Sequence, residues 1–246
     1  MDKDENARTI RTASRALAAT LLLLLSGCVF FMKHTPRGAC SNDLGSPVRN
    51  FCVVAPGALW RGEYPTPTDA TWLVEHRVGS IISLQLNDRR AFERVMLPSQ
   101  FTQTVQYFQV PGFSPLQMVS PTRVDKHVAL FLAIVKAAPK PVYVHCRAGI
   151  DRTGVVAAAY RVIVEGTAAE KAIAEMGKFH SPWQGIDAHY IRGLTPDRQS
   201  QILHEVAGWE ARLRPSAQID CRDGHCTYRR NDVDPTVKAS RIPGGS

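Results

Sequence analysis

Apolar and polar positions follow two rhythms along this chain, and the alternation between them predicts a layered fold. Residues 51–61 alternate and turn at Ala55-Pro56-Gly57, which predicts a β-hairpin. Thr66-Pro67-Thr68-Asp69 supplies a threonine cap, a proline in the first helical position and a first-turn carboxylate. That combination predicts a helix through Trp72, Leu73 and Val74 that stops at Gly79. Ser80 to Leu86 and Thr102 to Val110 are runs of strand length, with a short helix expected over Arg90 to Leu97 between them. Ser120-Pro121 opens a helical period to Ala137, with Val124, Val128, Phe131, Leu132 and Val135 on one core-facing side. Pro141-Val142-Tyr143-Val144 reads as a buried strand, and Gly154 to Val164 as a smooth helix. Thr167-Ala168-Ala169-Glu170 has the form of a capping box, and Thr195-Pro196 starts a last helix to about Arg212. Strands alternating with helices predict an α/β fold, a single domain with a mostly parallel central sheet flanked by helices.

The two ends break this pattern. Residues 1–15 are polar, and Ala16 to Ser26 is an apolar run of secretory length that ends in Leu25-Ser26-Gly27-Cys28. This ending resembles the lipobox of bacterial lipoproteins, in which cleavage precedes the cysteine and lipid is added to its sulfur. Residues 1–27 are therefore expected to be a signal peptide, Cys28 the lipidation site and 28–49 a tether. The competing reading is an uncleaved anchor extended to Met32, at the lower limit of spanning length. Both place the domain, expected over 50–213, outside the cytoplasm and attached to a membrane. Val29 after the cysteine favours the periplasmic side of an outer membrane. From Pro215 onward the periodicity lapses, so 214–246 is expected to be a loosely ordered tail.

The 246 residues suit one domain of ordinary size. A net charge of +8 without a basic block argues against nucleic acid as a partner and suits an anionic substrate or membrane surface. Export makes the cysteine count informative. With Cys28 and Cys146 set aside, Cys40, Cys52, Cys221 and Cys226 are expected to form two disulfides, in any of three connectivities. Cys221 and Cys226 could close a short loop around Asp223-Gly224, or pair with Cys40 and Cys52 to clamp the ends of the domain. A metal site at Cys221, His225 and Cys226 lacks a fourth ligand.

Between the predicted strand and helix stands His145-Cys146-Arg147-Ala148-Gly149-Ile150-Asp151-Arg152-Thr153-Gly154. A glycine-bearing loop that feeds a helix N-terminus makes an anion cradle of inward N–H groups. A cysteine there is expected to ionise, since thiols so placed fall to roughly 3.5–7.5. Arg152 supplies a planar fork for two phosphate oxygens. Thr153 offers a hydroxyl to the thiolate, and Gly149 permits a tight turn. The pattern predicts nucleophilic displacement at phosphorus through a phosphocysteine. Cys146 is the expected nucleophile, and Arg147, Ala148, Gly149, Ile150, Asp151, Arg152 and Thr153 the expected phosphate-binding residues. No metal or organic cofactor is required.

The loop resembles the signature of the protein tyrosine and dual-specificity phosphatases, with matches at Cys146, Gly149, Arg152 and Thr153. Asn50-Phe51, Val54 and Gly57 through Pro65 are similar to the opening of a compact atypical dual-specificity subgroup, and "VGSIISLQL" to its first core strand. The resemblance covers about residues 50 to 190. It implies a phosphotyrosine phosphatase, with dual specificity open, acting on a phosphorylated protein or a small phosphorylated substrate, and a ring of His145 that braces the loop. It also implies an aspartate acid in the loop before the long helix, yet Pro111 to Ser120 contains no carboxylate. Asp88, just past a strand end, and Asp151, inside the loop, are the leading candidates for the leaving-group acid. Asp125 reads more simply as a helix-start carboxylate. His180, Trp183 and His189 are expected to pack partly buried rather than line the site. Alternative functions are a phosphoinositide or inositol-polyphosphate phosphatase and a non-catalytic phosphoprotein-binding module. A sulfurtransferase is disfavoured, because its loop is a residue shorter.

Overall fold

A computed structural model describes residues 40, 42–85, 91–110 and 121–231. The signal segment, Cys28, most of the tether, Asp88, the carboxylate-free loop 111–120 and residues 232–246 lie outside the described residues.

A seven-stranded mixed sheet carries the fold, in the order β1-β2-β5-β3-β4-β6-β7. Its strands are β1 (Cys52–Ala55), β2 (Leu59–Gly62), β3 (Ser80–Ser83), β4 (Gln103–Gln109), β5 (Val142–His145), β6 (Ala217–Arg222) and β7 (His225–Arg230). The four middle strands run parallel, and β1, β6 and β7 join antiparallel at the margins. Successive side chains point to opposite faces. Leu59, Ile82, Phe108, Val142 and Val144 therefore enter one core, and Trp60, Ile81, Val105, Tyr107 and Tyr143 the other.

Helices α2 (Pro121–Ala137), α3 (Asp151–Ile163), α4 (Ala169–Gly177), α5 (Gln184–Arg192) and α6 (Pro196–Glu210) cover the first face. Helix α1 (Pro67–Glu75) and a short 3₁₀ turn at Phe92–Arg94 cover the second, with Phe51, Trp60, Trp72 and Tyr143 in edge and stacked contacts. The α1 start forms as its residues dictate: Thr66 accepts from the Asp69 N–H, and the Asp69 carboxylate accepts from the Thr66 N–H at 2.8 Å. The predicted side of α2 is buried throughout.

Several expectations are corrected. Helix α1 ends at Glu75 rather than Gly79, where Arg77 adopts a positive φ of 61°. Helix α3 begins at Asp151, three residues early, so the last residues of the loop already belong to it. The Thr167–Glu170 capping box does not form; α4 is capped by the Ala168 backbone, and Glu170 instead accepts from Arg192 across to α5. Helix α5, whose buried apolar side chains are Ala188, Tyr190 and Ile191, had no counterpart in the sequence pattern.

The largest correction lies in the expected tail. Residues 217–230 form a hairpin whose β6 alternates buried and half-exposed positions against β4, so the domain continues past residue 213. Its alternation spans only six residues, too few to register beside the long helical runs. The disulfides are Cys221–Cys226, across the hairpin, and Cys40–Cys52. The clamp between domain ends is thereby ruled out, and the Cys221 and Cys226 sulfurs are taken from any metal.

Candidate active site

Parallel register places the C-terminal ends of three strands at one level: Gly62 and Ser83 both lie opposite His145. The segments that follow meet there, as the rule for sites in parallel sheets requires. The loop between β5 and α3 forms a cradle around Cys146, which is buried and free.

What suits this loop to an anion is the direction of its carbonyls. The Arg147 carbonyl accepts from the Tyr64 N–H at 3.2 Å, and the Ala148 carbonyl from Asn50 Nδ2 at 2.9 Å. The Gly149 carbonyl accepts from Arg61 Nη2 at 2.6 Å, and that of Ile150 from the same nitrogen at 3.4 Å and from the Gly154 N–H. Each peptide is planar and trans, so an N–H points opposite the preceding C=O. Four carbonyls bonded outward leave the N–H groups of Ala148, Gly149, Ile150 and Asp151 directed inward. Gly149 is required here. Its φ is +68°, and a Cβ would lie 2.2 Å from the Gly62 backbone.

Arg61 is the principal residue that sequence reasoning missed. It lies 3% exposed beneath the loop, with its guanidinium 3.8 Å from the centre of the Phe179 ring. Burial lowers Arg61 to about 10, opposed by the charges of Cys146, Tyr143 and Asp151, so it remains a cation at neutral pH. A buried cation thus sits close to Cys146. Asn50 is the other missed residue, buried with a φ of +55° that asparagine tolerates better than most. Both lie in the stretch that resembled the phosphatase subgroup, but only the fold brings them under the loop.

The predicted residues occupy distinct places. Arg152 is half-buried and donates from Nη1 to the Leu84 carbonyl at 2.6 Å. Thr153 Oγ1 is buried without a hydrogen-bond partner among the described residues. Arg147 is exposed on the rim, while Ala148 and Ile150 pack inward against Phe179 and the Cys40–Cys52 disulfide. His145 is buried and stacks on Tyr143, with Nδ1 3.3 Å from the Cys146 carbonyl, which fits the bracing role.

Of the candidate acids, Asp125 is committed elsewhere: it accepts from Tyr190 Oη at 2.7 Å and from Arg198 Nε at 2.8 Å. Asp151 is buried and accepts from Ser181 Oγ. Burial raises its pKa, opposed by Ser181 and Arg152. Asp88 lies outside the described residues. Glu63 near the rim also has a raised pKa through burial, against the pull of Arg49. Trp183 is half-buried as expected, whereas His180 and His189 are exposed.

Comparison with known proteins places these features in a family. The model described as DSP-PTPase phosphatase fused to NAD+ kinase matches residues 53–189, more than half of the chain. The dual specificity protein phosphatase TpbA of Pseudomonas aeruginosa (strain UCBPP-PA14) is 30% identical over 193 residues, covering 74% of this chain and 80% of that protein. The crystal structure of P. aeruginosa TpbA superimposes with a TM-score of 0.51 at 25% identity, over 70% of this chain and 98% of that one. A cysteine-to-serine form of TpbA in complex with phosphotyrosine aligns with a TM-score of 0.50 at 24% identity, over 71% and 98%.

Proposed function

Because the chain belongs to the dual-specificity phosphatase family and is a phosphatase of that type, we propose that it hydrolyses phosphotyrosine in proteins through a phosphocysteine on Cys146. The observation that carries this reading is the set of four outward carbonyls at Arg147 to Ile150, which aims the intervening N–H groups at one point above Cys146. Such a point suits the three equatorial oxygens of a phosphoryl group, and Arg152 would close the remaining side. The phosphotyrosine bound in the TpbA complex supports the substrate class.

In the reaction Cys146 Sγ attacks phosphorus, the bond to the tyrosine oxygen breaks, and that oxygen takes a proton. Water then cleaves the S–P bond and frees phosphate. For the proton donor we favour Asp88, since the Asp151 carboxylate is engaged by Ser181 and the Leu84 carbonyl, four residues before Asp88, already touches Arg152.

The test is hydrolysis of p-nitrophenyl phosphate by a soluble form beginning after Cys28, without metal, beside Cys146→Ser. The serine variant is expected to lose about four orders of magnitude in kcat while keeping its melting temperature. Turnover that survives the change would overturn the mechanism. Phosphotyrosine peptides compared with inositol phosphates then decide the substrate class.

The anchoring reading is likewise a proposal: export, lipid on Cys28 and a periplasmic face at the outer membrane. Four cysteines joined in two disulfides support an oxidising compartment. Cell fractionation should find the protein with membranes and Cys28→Ala in the soluble fraction. Membrane retention of that variant would count against lipid anchoring.

A further inference from the structure

Ser181 is buried between two carboxylates just beyond the cradle. Its Oγ reaches Asp151 Oδ1, lies 2.9 Å from Asp187 Oδ2 and accepts the Trp183 N–H at 3.0 Å. A hydroxyl carries one proton, so Ser181 can donate to only one of the two carboxylates. Its contact with the other requires that carboxyl group to bring a proton of its own.

Asp187 is the group placed to hold that proton. It is completely enclosed, and its Oδ1 has no hydrogen-bond partner among the described residues. An unpaired buried oxygen costs far less on a neutral acid than on an ionised carboxylate. Asp151 is the better seat for negative charge, because Arg152 and Arg61 both act on it. In the same direction, burial raises Asp187 to about 7.

We propose that Asp187, Ser181 and Asp151 form a hydrogen-bonded relay holding one carboxylic proton that fixes Asp151 at the edge of the phosphate cradle, which makes Asp187 a positioning residue that sets the alkaline limit of turnover. With the relay protonated, the Asp187 hydroxyl donates to Ser181, the Ser181 hydroxyl donates to Asp151, and the Trp183 N–H completes the serine oxygen. When the Asp187 proton leaves for solvent, two carboxylates compete for one hydroxyl and repel each other. Asp151 is the first residue of α3 and directly precedes Arg152, so slack there passes into the phosphate-binding fork.

Among the described residues, few charged groups surround the relay. Arg61 comes from β2 and Arg152 from α3. On α4, Glu170 and Glu175 are occupied by Arg192 and Arg161. His180 beside Ser181 and His189 on α5 are exposed. The effect on turnover rests on the phosphatase reading above; the shared proton does not.

Two measurements on the soluble form test the relay. Asp187→Asn keeps a permanent donor toward Ser181, so the ratio of kcat/KM at pH 8 to that at pH 6 should rise several-fold over the parent protein. Ser181→Ala should lower kcat/KM at both pH values by roughly tenfold. A pH profile of Asp187→Asn that superimposes on the parent profile would overturn the positioning role. Infrared difference spectra of the parent protein should show a protonated-carboxyl C=O stretch at pH 6, where exposed carboxyls are ionised, and Asp187→Asn should lack it. A parent spectrum without that band would refute the shared proton even if the variants failed to fold. An inactive parent protein that shows the band would instead sink the phosphatase reading and leave the relay standing.

Discussion

Two regions of this molecule are each held by a disulfide, and they use burial in opposite ways. At the far margin of the sheet, Cys221–Cys226 ties β6 to β7 among apolar neighbours such as Phe92, Val95, Val105 and Ile219. Beneath the cradle, Cys40–Cys52 lies against Ala148, Ile150 and Phe179, and the cradle region also buries Arg61, Asp151 and Asp187. Apolar burial is stabilising in itself, at about 25 cal/mol per Å². Buried charge is costly and persists only where partners are arranged around it. The hairpin margin thus relies mainly on apolar burial, whereas the cradle accepts electrostatic cost to keep a buried cation and oriented dipoles near Cys146.

The sharpest break of this contrast is Arg61→Met. It removes a cation and leaves the Gly149 carbonyl without its donor, so a stability loss of about 3 kcal/mol is expected from denaturant melts. The fall in kcat/KM should be roughly a hundredfold, since the N–H groups of the loop lose their alignment. Arg61→Lys should restore part of the activity, because it keeps the charge but not the fork. Equal losses in both variants would show that charge contributes nothing.

The paired disulfide deletions come next. Cys40 and Cys52 are 12 residues apart, and their replacement by serine should cost about 3 kcal/mol with a measurable rise in KM for p-nitrophenyl phosphate. Cys221 and Cys226 are only 5 apart, so the same change should cost about 2 kcal/mol and leave kinetics within twofold of the parent values. Kinetic effects of similar size in the two variants would erase the distinction drawn between the regions.

The difference between the regions also explains what was legible beforehand. The cradle signature is local: Cys146, Gly149, Arg152 and Thr153 fall within eight residues, on a strand, a turn and a helix whose periodicities are plain. The capping residues Thr66 and Thr195 were legible for the same reason, since a cap is decided by neighbours three residues away. The Thr167 capping box fails because the helix starts one residue later, with Ala168 as its cap, and the exposed Glu170 pairs with Arg192 instead. The β6–β7 hairpin is not legible in the sequence because its partner, β4, lies more than a hundred residues earlier and supplies the burial that its short pattern only implies.

By itself, then, the sequence determined the α/β alternation, the strand–loop–helix around Cys146 and the family signature of that loop. These depend on interactions within a few residues, which spacing records directly. Only the tertiary structure decided which groups stand behind the cradle. Arg61 reaches Gly149 across 88 positions, Asn50 reaches Ala148 across 98, and Ser181 reaches Asp151 across 30. Contacts of that separation leave no period in the chain, because they are chosen by strand order and helix packing rather than by local propensity. Disulfide pairing was settled in the same way, by which sulfurs the finished fold brought within bonding distance.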